Sequence, residues 1–164
     1  MTLAELFCAA YMGLSLPNAN IACSHMDSVI RASHENNVDP AIMISLIYVE
    51  SRWTPTARST SNACGLTQIL PKYSSGYNNR FGRKLTCQQL YNPETSIKRG
   101  AKILSYYLMR YRGNKTRSLC AYNAGWSRCR QNQGEHKGYR YAHRVLSRAK
   151  ILRAWVENSR NHND

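Results

Sequence analysis

Leu3, Leu6, Phe7, Ala10, Tyr11 and Leu14 recur at i, i+3, i+4, i+7, i+8 and i+11, the spacing that lines one face of an α-helix with apolar side chains. Thr2 and Glu5 stand three apart just ahead of that run, so each can satisfy the other's orphan N–H, and a packed N-terminal helix is predicted. Ser24 and Asp27 repeat the signature before "MDSVIRASHENN", a second helix that ends at the Asn36-Asn37 pair. Asp39-Pro40 then places a cap and a first-turn proline before "PAIMISLIYVES". That third helix is apolar nearly all round through Val49, which predicts burial on every side and leaves Glu50 at its carboxyl end.

After Trp53 the residues turn small and polar, and Gly65 opens a short apolar stretch that Pro71 stops. "KYSSGYNNRFGRKLTCQQL" has the composition of a loop with one turn of helix. Asn92-Pro93-Glu94 repeats the cap, proline and acid order, and Ile97, Ala101, Leu104, Leu108 and Tyr111 predict a long amphipathic helix closed by Gly113. Thr116 is placed to cap a further helix, "RSLCAYNAG", ending at Gly125. Tyr141, Val145, Ala149, Leu152 and Val156 mark a last one with a cationic outer face. No alternating strand of useful length appears, so the expected fold is mainly α, one domain over residues 1–164 wrapped around a buried central helix.

Charge changes the picture. The net charge is +14, and the excess lies late, between residues 110 and 160, where Lys and Arg face only Glu135 and Glu157. A polyanionic partner is implied, though charge alone does not name it. Six cysteines permit three disulfides in any of about fifteen pairings. Cys120 and Cys129 are the first pair to test. Cys8, Cys23, Cys64 and Cys87 stay open. No Cys-x-x-Cys occurs and no histidine stands near a cysteine in a ligand-like pattern, so no metal site and no cofactor is expected. The N-terminal apolar stretch carries Glu5 where a secretory leader needs basic residues, and it reads as a helix of the fold. No apolar run approaches the roughly 20 residues of a membrane span.

Most acids have ordinary employment: Glu5, Asp27, Asp39 and Glu94 fall in caps or first turns. Glu50 does not. A carboxylate at a helix C-terminus is disfavoured by the macrodipole, and apolar surroundings disfavour it again. Both raise its pKa, which suits a group that holds and donates a proton near neutral pH. On periodicity alone, a helix-end glutamate paired with an arginine accounts for the residue equally well.

The words around it decide between them. Glu50-Ser51 with Trp53, then Gly65-Leu66-Thr67-Gln68, then Ala121-Tyr122-Asn123-Ala124-Gly125 resemble, in order and spacing, the soluble-type lytic transglycosylase family, relatives of goose-type lysozyme. "LYNPETSIKRGAKILSYYL" and the Tyr141/Val145 pair extend the likeness over a core of residues 27–152, with residues 1–26 as N-terminal helix and lead-in and 153–164 as helix end and polar tail. The resemblance implies a lysozyme-like helical fold and a peptidoglycan lytic transglycosylase. In such enzymes one glutamic acid, here Glu50, protonates the glycosidic oxygen between N-acetylmuramic acid and N-acetylglucosamine. Its conjugate base then takes the proton of the muramic 6-hydroxyl as that oxygen closes on C1, giving a 1,6-anhydro sugar. That chemistry needs no second carboxylate, in keeping with the scarcity of acids.

The same resemblance assigns substrate-binding positions to Ser51, Gly65, Gln68, Tyr122, Asn123 and Tyr141. Gly65 would let backbone approach the sugar, Gln68 would offer amide hydrogen bonds, and Tyr122 would stand near Glu50. Ser51, Asn123 and Tyr141 fit scaffold hydrogen bonding equally well. This chain departs from the family pattern at Thr67, Cys64 and Ser96, where methionine, alanine and asparagine are usual. Thr67 is expected to make the cleft wall smaller and more polar, and Cys64 to be pinned by Cys87. The expected partners are peptidoglycan strands and anionic envelope polymers or an outer-membrane surface, with no nucleic acid and a monomeric chain. The expected setting is the bacterial wall or periplasm, reached by phage lysis or from a virion. The alternatives are a goose-type-like muramidase hydrolysing the same bond, and a wall-opening transglycosylase of a secretion or conjugation system.

Overall fold

A computed structural model describes residues 1–130 and 134–162; Asn163 and Asp164 of the expected polar tail lie outside the described residues. Among the described residues eight α-helices follow in order: α1 (Leu3–Gly13), α2 (Ala19–Ser24), α3 (Met26–Glu35), α4 (Pro40–Ser51), α5 (Cys87–Leu90), α6 (Pro93–Arg110), α7 (Lys115–Ala124) and α8 (Lys137–Asn161). Short 3-10 turns at Pro71–Tyr73, Tyr77–Asn79 and Trp126–Arg128 complete the regular structure. Among the described residues the only β-type pairings are isolated bridges, Cys64 with Arg58 and with Ile69.

The caps explain most boundaries. Thr2 and Glu5 form the reciprocal box of α1, Asp39 accepts from the Ala41 N–H at the start of α4, and Asn92 accepts from Thr95 at the start of α6. Two caps fall elsewhere than expected. Ser24 ends α2 and donates to the Ile21 carbonyl, so α3 begins without a side-chain cap. Asn114, not Thr116, caps α7 by accepting from the Arg117 N–H. The shift has a local cause: an Asn side chain reaches the third N–H of a helix as well as Thr does, and Asn114 follows the Gly113 turn directly.

Helix α4 is the axis of the molecule. Ala41 through Ile47 are each no more than 2% exposed, as the continuous apolar run requires. Helix α8 packs along both α4 and α7, α6 lies against α3 and α7, and α1 closes the far side. Tyr141, Val145, Ala149, Leu152 and Val156, the predicted stripe of α8, are all buried in that contact. Glu94 ties α3 to α6, accepting from Ser28 at 3.0 Å and pairing with Arg31 at 3.1 Å.

Three disulfides fasten the periphery: Cys8–Cys23 joins α1 to α2, Cys64–Cys87 joins the loop after α4 to α5, and Cys120–Cys129 joins α7 to the turn after it. His136 comes close to the last pair in space, with Nε2 3.9 Å from Cys120 Sγ, a proximity that sequence spacing does not reveal. The residues do not suit a metal in this form. The sulfurs are bonded to each other, Nδ1 accepts from the Gly138 N–H, and Nε2 lies 2.9 Å from the Arg128 carbonyl oxygen.

Candidate active site

Helix α4 ends one residue past Glu50, and the chain reverses at once. Arg52 and Trp53 both take left-handed backbone, φ 49° and 58°, a conformation that costs a non-glycine residue about 1 kcal/mol or more. Burial offsets the cost: Trp53 is fully enclosed and meets Tyr11 edge to face, with ring centroids 6.1 Å apart. Asn18 secures the reversal by donating to the Arg52 carbonyl at 2.8 Å. The sharp turn leaves the Glu50 carboxyl at a helix end, beside Tyr122 of α7 and Tyr141 and Arg144 of α8.

Desolvation is the main influence on Glu50 and lifts its pKa from 4.5 to about 7, while Tyr141 and then Arg144 act against the rise. The carboxyl therefore keeps its proton up to neutral pH. Two tyrosines attend it. The Tyr122 hydroxyl donates to the Thr67 carbonyl at 2.7 Å. Burial, and after it the Glu50 charge, hold that hydroxyl well above the usual tyrosine range, so it remains protonated. Tyr141, 2% exposed, directs its hydroxyl towards Glu50 without the geometry of a formed hydrogen bond, and the buried oxygen has no hydrogen-bond partner among the described residues. A buried hydroxyl in that condition costs free energy until something approaches it.

The loop that carries Gly65 and Gln68 is held by side chains reaching backbone carbonyls. Ser51 Oγ lies 2.8 Å from the Leu66 carbonyl oxygen and 3.1 Å from that of Ile47, joining the end of α4 to the loop. Gln68 Nε2 lies 3.0 Å from the Gly65 carbonyl oxygen and 3.1 Å from that of Ala57. Both residues are thus braces of the loop. Gln68 Oε1 has no hydrogen-bond partner among the described residues. Asn123 is exposed on α7, next to Tyr122.

Two residues of this loop are held by the protein itself, and for Thr67 the expectation needs correction. Gly65 is required from the protein side: its φ is 82°, and a Cβ there would lie 2.1 Å from the Leu90 carbonyl oxygen. Close backbone packing by itself demands the glycine. Thr67 does not face the cleft at all. It is fully buried, its N–H donates to Ser96 Oγ at 3.1 Å, its Oγ1 donates to the Ser96 carbonyl at 2.9 Å, and its methyl fills the space over Gly100. The departures at Thr67 and Ser96 are therefore one feature, a buried polar pair that pins the loop to α6. Sequence reasoning treats them separately because 29 positions part them.

A family model described as the transglycosylase SLT domain matches residues 27–145. The membrane-bound lytic murein transglycosylase E of Buchnera aphidicola is 32% identical over 100 residues, covering 58% of this chain and 45% of that protein. The soluble lytic murein transglycosylase of Escherichia coli is 29% identical over 117 residues, 70% of this chain and 18% of the relative. A transglycosylase of Enterobacteria phage PRD1 is 29% identical over 99 residues, 60% and 34% of the two chains. The solved 70 kDa soluble lytic transglycosylase of Escherichia coli superposes with a TM-score of 0.73 at 24% identity, over 93% of this chain and 30% of that one. The chain thus spans less than half the length of each of these relatives. With the family model covering the helices, the loop and the tyrosines that surround Glu50, the chain belongs to the transglycosylase SLT domain family.

Proposed function

We propose that the chain cleaves the β-1,4 bond between N-acetylmuramic acid and N-acetylglucosamine in peptidoglycan without consuming water. The observation that carries this reading is a solitary acid with a raised pKa. Glu50 is protonated near neutral pH, and the side chains that bear on it are Tyr141 and Arg144, not another carboxylate. Glu94 and Asp39 are committed to cations elsewhere in the fold. A hydrolase with paired acids keeps its second carboxylate within about 5–9.5 Å of the first.

Glu50 transfers its proton to the glycosidic oxygen as the C1–O bond breaks. The resulting carboxylate accepts the proton of the muramic 6-hydroxyl, whose oxygen forms the new bond to C1. The proton balance closes on one residue, and the products are a free 4-hydroxyl and a 1,6-anhydro end. Tyr122 and Tyr141 supply neutral hydroxyls beside the group that changes charge, and the Tyr141 hydroxyl can donate to Glu50 once it is ionised. Support also comes from the relatives: each of the three named above is called a transglycosylase.

The phage relative favours a role in phage lysis or virion entry over local wall opening for a secretion machine, and the net charge of +14 favours retention on anionic envelope polymers. Mass spectrometry of fragments released from purified wall tests the reaction. Anhydro ends are expected; hydrated reducing ends would replace this mechanism by that of a muramidase.

A further inference from the structure

Beyond the cleft, a row of alternating arginines and aromatic rings crosses the surface from the loop before α5 to the turn after α7. The Arg80 guanidinium lies 4.5 Å from the Tyr106 ring centroid. Arg110 comes next, with Nη1 3.5 Å from the Tyr106 hydroxyl and its guanidinium 4.8 Å from the Trp126 ring. Arg130 covers Trp126 as well, at 4.9 Å. The order Arg80, Tyr106, Arg110, Trp126, Arg130 is assembled from three separate segments, and sequence periodicity gives no sign of it.

The row is fixed in place before any ligand arrives. Phe81 packs edge-on to Tyr106 at 5.5 Å, and Arg99 holds the Arg80 loop to α6 by donating to the Ser74 and Arg83 carbonyls. The Tyr111 hydroxyl donates to the Trp126 carbonyl at 3.0 Å. None of the three arginines of the row forms an ion pair with a carboxylate among the described residues. Arg80 Nε donates to the Tyr77 carbonyl at 3.2 Å and Arg110 Nη1 reaches the Tyr106 hydroxyl; stacking occupies the flat face of each guanidinium and leaves its remaining in-plane N–H donors for a carboxylate. Three such forks at intervals suit a ligand that presents anions at intervals.

Position narrows the ligand. Tyr107, 5.4 Å from Tyr106, packs against Cys120 and Ala121 of α7, and the next residue of that helix is Tyr122. Trp126 follows Tyr122 by four residues. Tyr107 also bears on Tyr122 electrostatically, so the row reaches the surroundings of Tyr122 and Glu50 through one intervening side chain. We propose that Arg80, Arg110 and Arg130 bind the carboxylates of the peptides carried by the glycan strand, a site that rests on the peptidoglycan reading and adds a preference for peptide-bearing strands to it.

The test needs no turnover, so its outcome is separate from that of the product analysis. The full chain carrying Glu50→Gln is sedimented with insoluble wall in three forms: with peptides and phosphate-linked polymers, freed of the phosphate-linked polymers, and further stripped of peptides by an amidase. Binding about tenfold tighter to both peptide-bearing forms than to the stripped form is expected, on the scale of one charge-assisted contact or more. Adding Arg80→Gln, Arg110→Gln and Arg130→Gln should abolish that preference and leave binding to stripped glycan unchanged, with an unaltered melting temperature reporting intact folding. Equal binding by the parent to peptide-bearing and stripped walls overturns the proposal. So does a preference that follows the phosphate polymers, or one that survives the triple substitution. If these exposed positions prove necessary for folding, Arg110→Lys gives the same reading: it keeps the charge, removes the fork and is expected to lose most of the preference.

Discussion

The two regions that meet around Glu50, a helical wall and a loop wall, are held by different physics. One consists of α4, α7 and α8, where Glu50, Tyr122 and Tyr141 stand on helices locked by continuous apolar packing. The other, residues 53–92, has almost no regular structure. It relies on the Cys64–Cys87 disulfide, on left-handed residues such as Gly65 and Gln68, and on side chains that reach carbonyls, Ser51 to Leu66, Tyr122 to Thr67 and Thr67 to Ser96. A helix positions a side chain through many weak contacts, each replaceable. A loop does so through a few directional bonds, each costly to lose. The helical wall should therefore tolerate change in its packing and fail in its chemistry, and the loop wall should do the reverse.

The largest effect is expected at Glu50. Glu50→Gln should lower wall lysis by about a thousandfold while preserving binding, as read by turbidity clearing and co-sedimentation. It should also stabilise the fold at alkaline pH. The folded carboxyl titrates near 7 against 4.5 unperturbed, so the native state holds a proton that the unfolded chain releases between those values. Glu50 thus lowers stability as pH rises through that window, and the full loss is present above it. Denaturation at pH 8 should show a gain of about 1–3 kcal/mol for the variant, and that gain should vanish below pH 4.5. A gain independent of pH would mean that burial does not set the acid.

In the loop wall the greatest sensitivity is expected at Gly65. Gly65→Ala places a Cβ against the Leu90 carbonyl oxygen in left-handed backbone and should cost about 2–4 kcal/mol. Urea midpoints measure it, and a loss under about 1 kcal/mol would show that the loop yields. Thr67→Val comes next. It removes the buried hydroxyl that donates to the Ser96 carbonyl as a second partner beside the helix N–H and meets Ser96 Oγ at 2.8 Å, at about 1–2 kcal/mol, and a double-mutant cycle with Ser96→Ala should give a coupling of about 1 kcal/mol. Additive losses would separate the two residues again. The smallest change is expected at Arg144, whose charge favours ionised Glu50. Arg144→Gln should move the alkaline limb of the activity profile upward, and a downward shift would contradict an attraction between the guanidinium and the ionised carboxyl.

Glu50 illustrates what is legible in the chain. Its place at the end of an all-apolar helix, and the consequence for its proton, follow from spacing and from the macrodipole, and the structure preserves both. Tyr122 and Tyr141 are legible through family words, without their partners. Thr67 shows the limit: a cleft residue by its position in a motif, it points into the protein. Motif order locates a segment, whereas the direction of one loop side chain depends on what packs behind it. Ser51 and Gln68 carry the same lesson, since their hydrogen-bond partners are carbonyls of residues up to 15 positions away.

The sequence by itself determined the helices other than α2, the buried axis and the lone acid, because periodicity, caps and burial act over a few residues and are written in their order. Tertiary structure alone decided the Thr67–Ser96 pair, the glycine forced by Leu90 and the row from Arg80 to Arg130. Each joins distant segments through contacts between single atoms, and no local pattern encodes which segments will meet.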